Sequence, residues 1–202
     1  SFYGLKERPF SLLPDPAFLY RSKKHNMALT MLEYGLLNQA GITVITGEVG
    51  SGKTMIIREV LNQLDESMIV GLISNTHKSF GELLQRVLLA FDLEYEGKEK
   101  VSLYHEFEKF VINTYAQGRK TVLIIDEAQN LAPETLEELR MLSNINADKD
   151  QVFQLVLVGQ PELRSTLRRS VLRQFSQRVT SSYHIEELDR DDTQKYIQHR
   201  ID

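Results

Sequence analysis

The chain has 202 residues, no cysteine and a formal net charge of −4. Disulfides, thiolate zinc sites and cysteine nucleophiles are therefore excluded, while the length suits one sizeable α/β domain. The charge gives no global pull toward nucleic acid or anionic lipid, and the longest aliphatic runs fall far short of the roughly 20 residues a membrane helix needs. The first residues, SFYGLKERPF, lack both the apolar core of a signal peptide and an initiator Met. A piece of a longer protein in a cytoplasmic setting is the expectation.

Residues 1–24, rich in proline, aromatic and basic residues, read as an irregular arm, with a helix following over about 25–38. ITVITG (42–47) is a short buried strand running into glycines, and a helix follows from Gly52 to about Leu64. MIVGLIS (68–74) is a second strand. Ser79 and Glu82 have capping-box spacing, and Phe80, Leu83, Leu84, Val87, Leu88 and Phe91 then trace one helix face. Ser102 is placed to cap another helix carrying Leu103, Phe107, Phe110 and Val111. TVLIID (121–126) is a strand, and Pro133 suits the first turn of a helix bearing Leu136, Leu139 and Leu142. VFQLVLVG (152–159) and SSYHIEEL (181–188) read as further strands, and a last helix opens near Asp191. Strands alternating with helices predict a parallel sheet with helices on both faces.

GEVGSGKT (47–54) fits the G-x-x-x-x-G-K-[ST] spacing of a phosphate loop. Gly47, Gly50 and Gly52 let the backbone curl, so that N–H groups of the loop (Glu48, Val49 and Ser51 included) turn inward toward phosphate oxygens. The helix beginning near Gly52 adds its positive end. Lys53 is expected to reach the β- and γ-phosphates of ATP, and the Thr54 hydroxyl to ligate Mg²⁺. The pattern lies between an apolar strand and a helical segment, which such a loop requires; the alternative is a bare glycine turn.

Asp126 and Glu127 stand side by side at the end of an aliphatic strand, where two carboxylates repel. A cation and a water molecule would explain them. Asp126 would hold Mg²⁺ through its water shell, and Glu127 would orient and deprotonate the attacking water. Otherwise the pair complements the dipole of the helix that follows. Gln160, at the end of another strand, either senses the γ-phosphate or is a loop residue ahead of Pro161. Residues 162–179 hold Arg164, Arg168, Arg169, Arg173 and Arg178. Such a run is commonly a solvated face. Arg178, just ahead of a strand, is the candidate for an arginine pointing into a neighbouring subunit's site, with Arg173 next, and Arg164, Arg168 and Arg169 are candidates for nucleic-acid contact. His25 and Tyr20 either border an adenine or pack within the arm.

Taken together, FYGLKERPFSLLPDPAFLY, GEVGSGKT, LIIDEAQNL, LEELRMLSN, LVLVGQPEL and YIQHR resemble the AAA+ ATPases of the general secretion pathway protein A type, along with their pilus-biogenesis and exosortase-associated relatives. The resemblance covers nearly the whole chain. It implies a P-loop NTPase fold, with a five-stranded parallel AAA+ core in the order 5-1-4-3-2 over 1–188, arm included. It also implies a helical lid, whose first helix alone is present at 189–202. The same resemblance supports the assignments of Lys53, Thr54, Asp126 and Glu127. A usual AAA+ domain has Asn or Thr where this chain has Gln160, and full-length members of the resembled family often continue into a membrane segment and a peptidoglycan-binding part.

Three functions compete. The first is a homo-oligomeric ATPase, joined through the Arg178 edge, that powers or regulates assembly of envelope secretion or pilus proteins. The second is a DNA-associated ATPase of the transposition-regulator kind, which the negative charge disfavours. The third is a nucleotide-dependent scaffold with little turnover, against which Lys53, Asp126 and Glu127 argue.

Overall fold

The runs ITVITG, KTVLII and FQLVLVG are dominated by β-branched and aliphatic residues that favour extended backbone. In a computed structural model, which describes residues 22–38, 41–74, 82–147 and 150–201, they form three central strands: β1 (Ile42–Gly47), β3 (Lys120–Ile125) and β4 (Phe153–Gly159). All but Lys120 at the head of β3 are buried, because helices cover both faces. β2 (Met68–Ile73) and β5 (Val179–Ile185) are the edges and are only partly buried. The order is β2-β3-β4-β1-β5, with every neighbouring pair parallel. Read from the other edge, this is the expected 5-1-4-3-2 arrangement.

Helices α1 (Lys23–Leu37) and α2 (Lys53–Gln63) lie on one face, packing Ala28, Leu32, Leu36, Ile56, Ile57 and Val60 against Val122, Ile124, Val156 and Val158. Helices α3 (Leu83–Ala90), α4 (Lys100–Ala116), α5 (Pro133–Leu142), α6 (Pro161–Leu167) and α7 (Arg173–Arg178) contribute to the opposite core, which takes Leu123, Ile125, Phe153, Leu155 and Leu157. Consecutive strand residues thus feed opposite cores, as the two-residue period of a strand demands. A two-stranded antiparallel pair joins Asn146–Ala147 to Asp150–Gln151, and α8 (Arg190–Ile201) closes the described chain.

Several boundaries differ from expectation. α1 begins inside what reads as the arm, because Ser22 caps it, accepting a hydrogen bond from the His25 N–H at 3.2 Å. Ser102 does not cap α4. That helix starts at Lys100 after an extended Glu99 with no side-chain cap, and its first turn is tied down by ion pairs instead, Lys98 to Glu106 at 2.7 Å and Lys100 to Glu138. β5 starts two residues early at Val179, since Thr180 forms an irregularity beside Ile42, bonding that residue's backbone through its hydroxyl. It ends at Ile185. The arm over 1–21 with Tyr20, and Ser79 with Phe80, lie outside the described residues.

Candidate nucleotide site

Parallel strands place all their C-terminal ends on one edge, and open α/β sheets bind ligands there. β1, β4 and β3 are neighbours, so the segments leaving them lie side by side. These are residues 47–54 from β1, Gln160 from β4, and Asp126 with Glu127 from β3.

The 47–54 loop has the expected curl. Gly50 (φ +79°) and Gly52 (φ +83°) occupy left-handed backbone that other residues reach only at a cost. α2 starts from Gly52 with no side-chain cap, leaving its first N–H groups to an external acceptor. Ser51 Oγ is buried with no hydrogen-bond partner among the described residues. Val49 is exposed at the loop tip and Glu48 is exposed beside it. Lys53 folds over the loop, its ammonium donating to the carbonyls of Gly47 at 2.8 Å and Glu48 at 2.7 Å. Burial pushes the Lys53 pKa below the ordinary lysine value, against the opposing pull of Asp126, Glu48 and Glu162. Anionic oxygens at the loop would favour the charged form further.

Thr54 and Asp126 come together from sequence positions far apart. The Thr54 hydroxyl donates to Asp126 Oδ2 at 3.3 Å, and Asp126 is 9% exposed. Its other oxygen accepts from the Glu127 N–H at 2.8 Å. One hydroxyl and one carboxylate are a sparse donor set, which suits a small hard cation that keeps water and phosphate oxygens as its remaining ligands. The residues therefore fit Mg²⁺ with a bound nucleotide. Glu127 is exposed and sits at φ +54°, ψ +35°. A non-glycine residue held there costs about 1–3 kcal/mol, and such strain concentrates at functional positions.

The Gln160 N–H donates to Gln129 Oε1 at 3.0 Å, which ties the segment after β4 to the segment after β3. A Cβ at Gly159 would approach the same oxygen to 2.8 Å, so a side chain there would displace the Gln129 amide from this contact. The sequence reading gave Gln129 no role. Its signal was a polar residue two positions beyond the acid pair. Glu162, near enough to act on Lys53, was also missed.

The five arginines of 164–178 are all exposed, and among the described residues none pairs with a carboxylate. Arg178 ends α7 just ahead of Val179, which is level with Ile42, whereas the loop begins at Gly47, level with Ile185. Five residue steps at roughly 3.3 Å separate the two levels. Arg178 therefore belongs to the opposite end of the strands from its own phosphate loop. His25 is not in an arm. It lies in the first turn of α1 with Nε2 2.8 Å from the Ser51 carbonyl oxygen.

A family model described as an AAA domain matches residues 37–167. The chain belongs to the AAA domain family. This AAA domain is 39% identical over 201 residues to general secretion pathway protein A of Aeromonas hydrophila, covering 99% of the chain and 37% of that relative. The resemblance carried by the quoted motifs is borne out in that similarity. It is also 26% identical over 188 residues to the Mu-like prophage FluMu DNA transposition protein B of Haemophilus influenzae, covering 91% of the chain and 61% of the relative. The chain spans less than two thirds of either curated relative. In fold it is similar to the Aeropyrum pernix ORC2 protein in its ADPNP-ADP complexes (TM-score 0.68, 17% identity, 97% of this chain and 56% of that one). Cdc6p of Pyrobaculum aerophilum is similar too (TM-score 0.65, 16% identity, 94% and 53%). No helix among the described residues is long and apolar enough to cross a membrane.

Proposed function

We propose that this AAA domain binds and hydrolyses ATP with Mg²⁺, and that the hydrolysis powers or regulates assembly of an envelope secretion or pilus machine from the cytoplasmic side. The observation that carries the nucleotide reading is the meeting of Thr54 and Asp126 at 3.3 Å beside a Lys53 folded over an uncapped helix start. Thr54 and Asp126 would hold the magnesium ion, which supplies positive charge to the β- and γ-phosphates. Lys53 and the loop N–H groups would bind those phosphates. Glu127 would take the proton of the attacking water, and Gln160, positioned by Gln129, would orient toward the γ-phosphate. The similarity to general secretion pathway protein A supports the choice of machine.

The remaining charge would come from a second copy. Arg178 is too far along the sheet to serve its own loop, so we assign it to a neighbour's site in a homo-oligomer. α8 would be the first helix of a lid over the nucleotide.

Titration with a fluorescent ATP analogue, with and without Mg²⁺, tests the site. Lys53→Ala should abolish binding and leave the thermal melt unchanged. Glu127→Gln should keep binding and lower the hydrolysis rate by about 10²–10⁴-fold, the usual worth of a general base. Unchanged affinity in Lys53→Ala, or unchanged turnover in Glu127→Gln, would remove the corresponding assignment.

A DNA-associated ATPase is the second reading. The five exposed arginines, without a carboxylate partner among the described residues, favour it, as does the similarity to a DNA transposition protein. Binding to random duplex should then weaken steeply and linearly in log–log terms as salt rises.

A further inference from the structure

We propose that His25 is a positioning residue of the phosphate loop, its imidazole holding the Ser51–Gly52 turn in place through one fixed tautomer. The proposal rests on the nucleotide reading above and adds to it a residue from outside the loop motif.

The tautomer follows from what each partner can do. His25 Nε2 lies 2.8 Å from the Ser51 carbonyl oxygen, and a carbonyl oxygen can only accept. Nε2 therefore carries the hydrogen. In the neutral ring Nδ1 is then an acceptor, and it lies 2.7 Å from the Ser22 hydroxyl, which donates to it. Ser22 is 1% exposed, so its hydroxyl has no water to turn to. The result is a directed chain, Ser22 to His25 to Ser51, that starts in the N-cap of α1 and ends in the loop.

The helical turn that carries the ring is also anchored. Lys24 donates to the Glu187 carbonyl at 2.8 Å and pairs with Glu186 at 3.3 Å. The Tyr183 hydroxyl of β5 donates to the Lys24 carbonyl at 3.3 Å. The first turn of α1 is thereby fixed to the end of β5 and the segment after it, and His25 is presented to the loop from a fixed base.

The loop has left room for the ring. A Cβ at Gly52 would come 2.5 Å from His25 Nε2, so glycine is required there for the imidazole as well as for its φ of +83°. A trans peptide is planar, with C=O and N–H pointing opposite ways. Holding the Ser51 carbonyl toward α1 therefore fixes the Gly52 N–H in the opposite direction. That N–H is one of the loop donors a phosphate would take.

Two substitutions separate the hydrogen bond from mere space-filling. His25→Phe keeps a ring without a donor, while His25→Gln carries an amide nitrogen at a similar reach. Affinity for a fluorescent ATP analogue should fall roughly five- to tenfold in His25→Phe, the range for one lost hydrogen bond, with the rate at saturating ATP little changed. His25→Gln should recover most of that loss. Wild-type affinity in His25→Phe overturns the proposal, and so does a Gln variant as weak as the Phe variant. If His25→Phe does not fold, imidazole ¹⁵N spectra of the wild-type chain decide, with the His25 signals assigned by their loss in His25→Gln. A ring fixed as the Nε2–H tautomer supports the proposal, and a ring averaging both tautomers overturns it. Failure of the wild-type chain to bind nucleotide would instead sink the ATPase reading, leaving the ¹⁵N measurement to judge the contact itself.

Discussion

The two faces of the sheet are built differently. Beneath α1 and α2 the core is thin and aliphatic, from Leu32 and Ile56 to Val122 and Val158, and it carries one buried amide, Gln154. On the opposite face, five helices cover a larger core with a cluster of rings. Phe107 lies 5.5 Å from Phe91 and 5.3 Å from Phe153, the latter edge to face. The phosphate loop runs directly into α2 on the thin face. The bulk of the buried apolar area, and so of the hydrophobic stabilisation, lies on the other.

This division separates chemistry from scaffold. The uncapped start of α2 and the strained Glu127 are unfavourable for stability in themselves. A domain can sustain them where a second core on the other side of the same strands holds those strands in place. Residues of one strand serve both ends of the bargain: Ile124 faces the site side while Leu123 and Ile125 face the ring cluster.

Arg178 is the sharpest way to break this division, because it sits at the end of α7, whose Phe175 is part of the scaffold core. If it completes a neighbour's site, the scaffold face also carries catalysis. Arginine fingers are worth about 10³–10⁵ in rate. Arg178→Ala keeps its own loop and Lys53→Ala keeps its arginine, so each alone should be inactive and their mixture partly active under assembling conditions. A mixture that stays inactive although both variants co-assemble, or a wild-type specific activity independent of concentration, would return Arg178 to the solvated face.

Phe107→Ala tests the division from the other side. It deletes a fully buried ring from the cluster and should lower stability by about 3–5 kcal/mol, read as a shift in denaturation midpoint. Nucleotide affinity of the remaining folded fraction should stay as in the wild type. A specific loss of affinity without loss of stability would mean that the ring cluster shapes the site directly.

The strands, the parallel α/β class and the loop were legible in the residues, since each shows in a run, an alternation or a spacing along the chain, whereas the strand order followed only from the family resemblance. β-branched runs declare strands, and the spacing of Gly47, Gly52, Lys53 and Thr54 is a local pattern with one mechanical use. What was not legible depends on neighbours brought together by the sheet. Gln129 matters because β3 and β4 are adjacent, which places it under the Gln160 N–H. His25 read as an arm-packing or adenine-bordering residue because its partner, the Ser51 carbonyl, lies 26 residues along the chain. Ser102 failed as a cap for a related reason. The first turn of α4 is set by the partners of Lys98 and Lys100, and Glu138 on α5 is invisible from local spacing.

The smallest expected effect belongs to Gln154, a buried amide on the thin face. Its amide donates to the Leu36 carbonyl at 3.0 Å. That carbonyl is one of the last in α1, where the helix can no longer supply partners. Lys120 serves the neighbouring Leu37 carbonyl in the same way, at 3.4 Å. Gln154 Oε1, however, is buried with no partner among the described residues. Gln154→Leu therefore loses one good hydrogen bond and orphans the Leu36 carbonyl, but it removes an equally costly buried oxygen and adds apolar contact. The two terms are each on the order of 1–2 kcal/mol and of opposite sign, so the net change in denaturation free energy should stay within about 1 kcal/mol. α1 also presents His25 to the loop, so a loosened C-terminal end would show in nucleotide affinity as well. A loss above about 2 kcal/mol, or a parallel drop in affinity, would mean that the amide anchors α1 to the sheet more than the aliphatic contacts around it do.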